Sequence, residues 1–161
     1  MFLTTCAVCA KALRIDESIV IKRECFADAK AMTGPESPLA TICANNLGCA
    51  LMTKGSYADA VPLLKAQTEY QGPDAPLDNE MTISLFTNYA KALYKNPAAV
   101  PDDLLEAIAT YEKCLTAARR LWGAGHPYPK KSENHLVKAR AALAAPQSAR
   151  FERALKRARK E

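Results

Sequence analysis

At 161 residues this is one domain's worth of chain, long enough to bury a core of its own, and it carries a net charge of +5. Apolar residues make up 49%, aromatics only 7%, and thirty residues are alanine, a composition that points to closely packed helices and an all-α fold. The charge is uneven: residues 1–118 balance to −4 and residues 119–161 to +9, so a mildly acidic body carries a strongly basic C-terminal end.

The opening stretch contains Cys6-Ala7-Val8-Cys9, a C-x-x-C whose usual roles are metal binding or redox exchange. It lacks both the basic start and the apolar run of a secretory signal, and no apolar run of about 18 residues or more occurs anywhere in the chain. An intracellular protein with reduced thiols and no membrane span is expected, in the cytoplasm first, with an organelle or a cilium as other settings. A first hairpin is expected over about 2–34, with helices at 2–13 and 18–32. The reason is that Arg23-Glu24-Cys25 through Gly34 and Pro38 parallels Glu112-Lys113-Cys114 through Gly123 and Pro127.

Three breakers divide the rest: Gly34-Pro35-Glu36-Ser37-Pro38, Gly72-Pro73-Asp74-Ala75-Pro76 and Gly123-Ala124-Gly125-His126-Pro127. Glycine stops a helix through backbone entropy and proline through its missing N–H, so these segments read as linkers between helical units. The second unit, 39–72, places Leu47, Ala50 and Leu51 on one helical face, then Ala60, Leu63, Leu64 and Gln67 on another, with Gly55 in the turn between. The third, 79–123, repeats the template: Phe86, Tyr89, Ala90 and Leu93 match Ala44, Leu47, Gly48 and Leu51 at an offset of 42. Ala107 and Tyr111 match Ala60 and Leu64 at an offset of 47, the extra residues falling in the turn around Asn96 to Asp103. Asp102 or Asp103 is the expected N-cap of the helix that follows.

A partial unit over 131–144 supplies one more first helix in either of two registers. Anchoring on Leu136 puts Arg140 where an apolar residue belongs, whereas a shifted frame buries Ala139 and Leu143. Together the units form a repeat domain over 1–146. Beyond Pro146, residues 147–161 read as a basic helix carrying Arg150, Arg153, Lys156, Arg157, Arg159 and Lys160, which could cap the array.

The Asn45-Asn46-Leu47 opening, the Lys54-Gly55-Ser56-Tyr57-Ala58-Asp59-Ala60 turn, the Leu63-Leu64 pair and the trailing glycine and proline resemble a tetratricopeptide repeat, in the longer-period form found in kinesin light chains. The resemblance covers about 39–127 most closely. It implies a right-handed superhelix of roughly three and a half antiparallel hairpins, with first helices lining a concave face that binds partner proteins or peptides. It also implies that asparagines on those first helices hydrogen-bond the backbone of an extended ligand. That role falls on Asn46 and Asn88, with Asn45, Lys91 and Lys95 beside them. An amide suits the task because it offers donor and acceptor without a charge to desolvate, although asparagine also bonds its own local backbone readily. The lysine and arginine set of the carboxylate clamp found in chaperone-binding relatives is not present in register.

Other chemistry is poorly supported. A zinc site at Cys6 and Cys9 lacks two further ligands at matched spacing, His126 and His135 lying far along the chain. Small residues packed against a partner helix account for both cysteines. No phosphate loop, nucleophile elbow or zinc-hydrolase motif occurs, so neither a catalytic role nor a cofactor is expected. The leading expectation is a non-catalytic adaptor binding a partner along its concave face. The alternative is a small structural subunit of a large assembly, such as an organellar ribosome or a ciliary complex, held through its basic end by RNA or acidic protein tails.

Overall fold

The computed structural model describes residues 14–72 and 75–145. Among them lie six α-helices and no strand: α1 (Ile15–Thr33), α2 (Pro38–Lys54), α3 (Tyr57–Gln71), α4 (Glu80–Lys95), α5 (Pro101–Trp122) and α6 (Pro127–Ala144). Each packs antiparallel on the next, giving an all-α stack of hairpins. Alternate helices also meet, α2 against α4 and α4 against α6. That closer approach puts α2, α4 and α6 on the inner side of the stack and α1, α3 and α5 on the outer side. Cys6 and Cys9, the first helix expected at 2–13, and the basic segment from Arg150 to Lys160 lie outside the described residues.

The helix boundaries follow from capping chemistry. Ser37 and Asn79 accept hydrogen bonds at the starts of α2 and α4, from the backbone N–H groups of Ala40 at 3.1 Å and Thr82 at 2.9 Å. Proline occupies the first turn of α2, α5 and α6, where its missing N–H costs no helical bond. Pro76 does not open α4 in the same way, since that helix begins only at Glu80.

At α5 the expected cap is corrected. Proline at 101 starts the helix one residue before Asp102, so neither aspartate stands at the N-cap. Asp103 instead reaches back from the first turn and accepts from the Val100 N–H at 2.9 Å. The turn at Gly55 closes α2 with Ser56 N–H donating to Leu51 O at 2.9 Å and Gly55 N–H to Met52 O at 3.2 Å.

The three linker glycines share one backbone conformation. Gly34, Gly72 and Gly123 have φ of 86°, 86° and 78° and ψ of 154°, 156° and 157°, a region open essentially to glycine alone. Each therefore turns the chain out of an outer helix in the same direction. The periodicity seen in sequence is a periodicity of geometry.

A continuous core runs through the hairpins, formed by Leu47, Leu51, Ala60, Leu64, Leu85, Tyr89, Ala90, Leu93, Ala107, Tyr111, Leu136 and Ala139. Gly48 faces Leu64 so closely that a Cβ there would lie 2.7 Å from Leu64 Cδ2. At α6 each expected register is right in part. Leu136 and Ala139 are both buried and Leu143 half-buried, while Arg140 points outward and meets Glu112 of α5 at 2.6 Å.

A buried polar group ties the first linker to the second hairpin. Gln67, 1% exposed, donates from Nε2 to Pro35 O at 2.8 Å and to Thr41 Oγ1 at 2.9 Å. Thr41 in turn donates to Ser37 O at 2.9 Å and accepts from Gln71 at 3.1 Å. The face that carries Ala60 and Leu64 thus ends in an amide with its own partners, as a buried amide must.

Candidate functional site

The candidate surface is the inner face of α2, α4 and α6. Asn45, Asn46 and Cys49 lie on it from α2, all half-buried. Ser84, Asn88, Lys91 and Lys95 lie on it from α4 and are likewise half-buried.

Asn88 donates from Nδ2 to Asn45 Oδ1 at 2.9 Å and to Cys49 Sγ at 3.2 Å, and Asn45 donates to Ser84 Oγ at 3.2 Å. These bonds form a ladder across the hairpin boundary. The amide that Asn88 reaches is therefore Asn45, one residue from the Asn46 that shares its repeat position. The ladder uses both Asn88 donors and leaves its Oδ1 as an acceptor. Asn46 makes no side-chain hydrogen bond among the described residues and keeps its full amide.

Beyond Lys91 the face ends in an aromatic group shared by three helices. Tyr94 O–H meets His135 Nδ1 at 2.8 Å, joining α4 to α6. His135 stacks on Tyr111 of α5 with centroids 5.8 Å apart and planes at 11°, and Tyr94 meets Tyr111 edge-on at 6.1 Å. Burial pushes the His135 imidazole down to about 4, assisted by the charges of Lys91, Lys95, Lys138 and Lys131. The ring is neutral at physiological pH.

Burial pushes the Cys49 thiol upward, and Lys91, Lys131 and Lys22 oppose that shift. The charges of Lys91 and Lys131 act on both groups. A thiol pushed up and an imidazole pushed down are the reverse of the ion pair a cysteine nucleophile needs. Among the described residues no group of three or more His, Cys, Asp or Glu side chains is placed to hold a metal ion. No described helix is long and apolar enough to cross a membrane. What this face offers is amide donors and acceptors, with lysines on α4 and α6.

Of the residues the sequence marks, the structure joins Asn45 and Asn88 and sets Asn46, Lys91 and Lys95 on the same two helices. Sequence reasoning missed Ser84, Cys49, Tyr94, His135, Lys131 and Lys138. A signal existed for part of this set. Cys49 stands one turn after Asn45, and Lys131, His135 and Lys138 recur at helical spacing along α6, although Lys131 reads in sequence as part of the basic end.

No protein-family model and no curated protein matches the chain. Solved structures do match. One is a crystal structure of the nearly identical TPR-like repeats of a Podosopora anserina protein assigned as a kinesin light chain. It is 17% identical over 96% of this chain and 70% of that one, with a TM-score of 0.77. A point-substituted form of the same protein gives 18% identity over 96% and 69%, with a TM-score of 0.78. At this identity the likeness defines the fold: a TPR-like α-α superhelix similar to kinesin-light-chain repeats.

Proposed function

We propose that this protein is a non-catalytic scaffold that binds an extended segment of a partner protein along the inner face of α2, α4 and α6. The observation that carries the reading is the row of half-buried polar side chains on the stacked first helices. Asn46 has an uncommitted amide, Asn88 an uncommitted acceptor, and Lys91 no ion-pair partner among the described residues. Half-buried groups of this kind keep only part of their hydration, so a ligand backbone can take it over at a modest desolvation cost. The Asn45–Asn88 bond fixes the orientation of the acceptor beforehand, which lowers the ordering cost of binding.

The test is affinity purification of the full chain from its native source, followed by the same capture with an Asn46→Ala, Asn88→Ala double variant. Loss of a partner that the unaltered protein retains supports the inner-face reading. Undiminished capture by a variant with native helicity refutes it.

A further inference from the structure

The inner helices begin in a common register. Ser37, Asn79 and His126 stand at the N-caps of α2, α4 and α6, and nine residues after them come Asn46, Asn88 and His135. The next residue in each helix, Leu47, Tyr89 or Leu136, is buried, so the three helices are turned the same way about their axes. Asn46, Asn88 and His135 therefore occupy one repeat position, each half-buried and on the same side of its helix. His135 is the third member of a row whose first two members are asparagines.

The imidazole is held in one orientation and one tautomer. Its ring stacks on the fully buried Tyr111, with centroids 5.8 Å apart and planes at 11°. Its Nδ1 meets the Tyr94 hydroxyl at 2.8 Å. A phenol is the stronger donor and an unprotonated ring nitrogen the stronger acceptor, so in the neutral ring Tyr94 donates and the proton sits on Nε2. Among the described residues, the buried side-chain nitrogen and oxygen atoms without a hydrogen-bond partner are Thr87 Oγ1 and Tyr111 Oη. His135 Nε2 is unbonded among the described residues but is not one of these, so it is open to solvent. An asparagine amide offers a donor and an acceptor, whereas this ring, with Nδ1 already engaged, offers a donor alone.

We propose that His135 is the third contact of the bound segment and donates from Nε2 to one of its backbone carbonyls. This rests on the scaffold reading and adds the polarity of recognition: over α6 the segment turns a C=O, not an N–H, toward the inner face. Helices in contact lie about 8–10 Å apart, so the two steps from α2 to α6 cover about 20 Å. Extended backbone advances about 3.3 Å per residue, so the row reads a segment of about six residues. Because Tyr94 and Tyr111 fix the ring beforehand, little side-chain freedom is lost when the contact forms.

The tautomer is read first, on the free full-length protein. Nitrogen-15 NMR of the imidazole rings, with His135 assigned by its absence in His135→Gln, should show Nε2 protonated and Nδ1 bare at neutral pH. A proton on Nδ1 overturns the proposal, because Nε2 would then be an acceptor.

Binding is read with peptides selected on the full-length protein from a displayed library of random sequences about twelve residues long, twice what the row requires. Those whose affinity falls with Asn46→Ala, Asn88→Ala are inner-face ligands and serve as probes. His135→Phe keeps a ring over Tyr111 and removes the N–H, so it should weaken the probes about fivefold, the size of one net hydrogen bond. His135→Gln gives up the stack but keeps a donor near the place of Nε2, so it should recover most of that loss. Both variants are compared at native helicity. A residue that only supports the core gives the opposite order, with Phe harmless to binding and Gln damaging, and that order overturns the proposal.

Replacing one peptide linkage of a probe by an ester weakens its carbonyl as an acceptor. At one linkage the ester should weaken binding to the unaltered protein and leave binding to His135→Phe unchanged. Equal effects on both proteins at every linkage refute the carbonyl contact. If no selected peptide depends on Asn46 and Asn88, the scaffold reading fails and this inference with it. Dependence on the asparagines with indifference to His135→Phe refutes the inference and leaves the scaffold reading standing.

Discussion

The close approach of Gly48 to Leu64 makes a prediction whose sign depends on its surroundings. Replacing Gly48 by alanine adds a methyl group 2.7 Å from Leu64 Cδ2 and 2.9 Å from Leu64 Cγ. Comfortable carbon separations are about 3.5–4.0 Å, so Leu64 must retreat by about 1 Å. Leu64 is completely buried and belongs to the continuous core, which has little room to receive it. Overpacking of this kind costs about 1–3 kcal/mol. Against it stands the gain of about 1 kcal/mol from replacing a helix-interior glycine by alanine. The net expectation is a loss of about 1 kcal/mol, or about 2–4 °C in Tm for a chain of this size.

The measurement is urea unfolding followed by helical circular dichroism, carried out as a double-mutant cycle with Leu64→Ala. In the Leu64→Ala background the three closest contacts of the methyl are gone, and helix propensity governs the outcome. Gly48→Ala should then stabilise, reversing its sign. Stabilisation by the same amount in both backgrounds would refute the close-contact account. The equivalent residue in the next hairpin provides a control. Ala90 already fits there with no exposure, in the same core as Tyr111, so Ala90→Gly should destabilise by about 1 kcal/mol.

Other outcomes follow from the same geometry. Gly72→Ala and Gly123→Ala should each cost about 1–3 kcal/mol although nothing lies within 4 Å of the added carbon, because the backbone conformation alone opposes it. Gly125→Ala, equally unobstructed and without a positive φ, should be neutral in the same thermal melts. Gln67→Ala removes a buried side chain together with its bonds to Pro35 O and Thr41 Oγ1, Thr41 keeping those to Ser37 and Gln71, so a loss of about 2–4 kcal/mol in denaturant unfolding is expected.

His135 has a folded pKa of about 4, below its unfolded value of about 6.5. Its neutral form therefore contributes fully above the unfolded value, and that contribution is lost as pH falls from about 6.5 to about 4. The Tm of His135→Phe should fall less over that window than that of the unaltered protein, and parallel curves would count against the assignment. Cys114, completely buried with its thiol pushed up to about 11, should resist alkylation at mildly alkaline pH until the chain unfolds. Modification in the native state at a free-thiol rate would contradict its placement.

The parts of this fold legible in sequence are those governed by local rules. Glycine at a φ near +80° and proline in a first turn announce themselves residue by residue, and the apolar faces around Leu47 and Leu64 follow helical spacing. What escaped was set between hairpins. Asn88 bonds Asn45 rather than stacking on Asn46 because helices of successive repeats cross at an angle, so residues equal in repeat position are not opposite in space. The same offset explains α6: Leu136 and Ala139 both face inward because the last helix packs on α5 and on the end of α4, with no following hairpin among the described residues to fix a single register. His135 shows the difference most plainly. In sequence it is a lone histidine amid lysines, and only the approach of α4 and α5 brings Tyr94 and Tyr111 to it. A repeat protein writes its units locally and its binding surface non-locally, so the residues that recognise a partner are those whose meaning depends on the stacking.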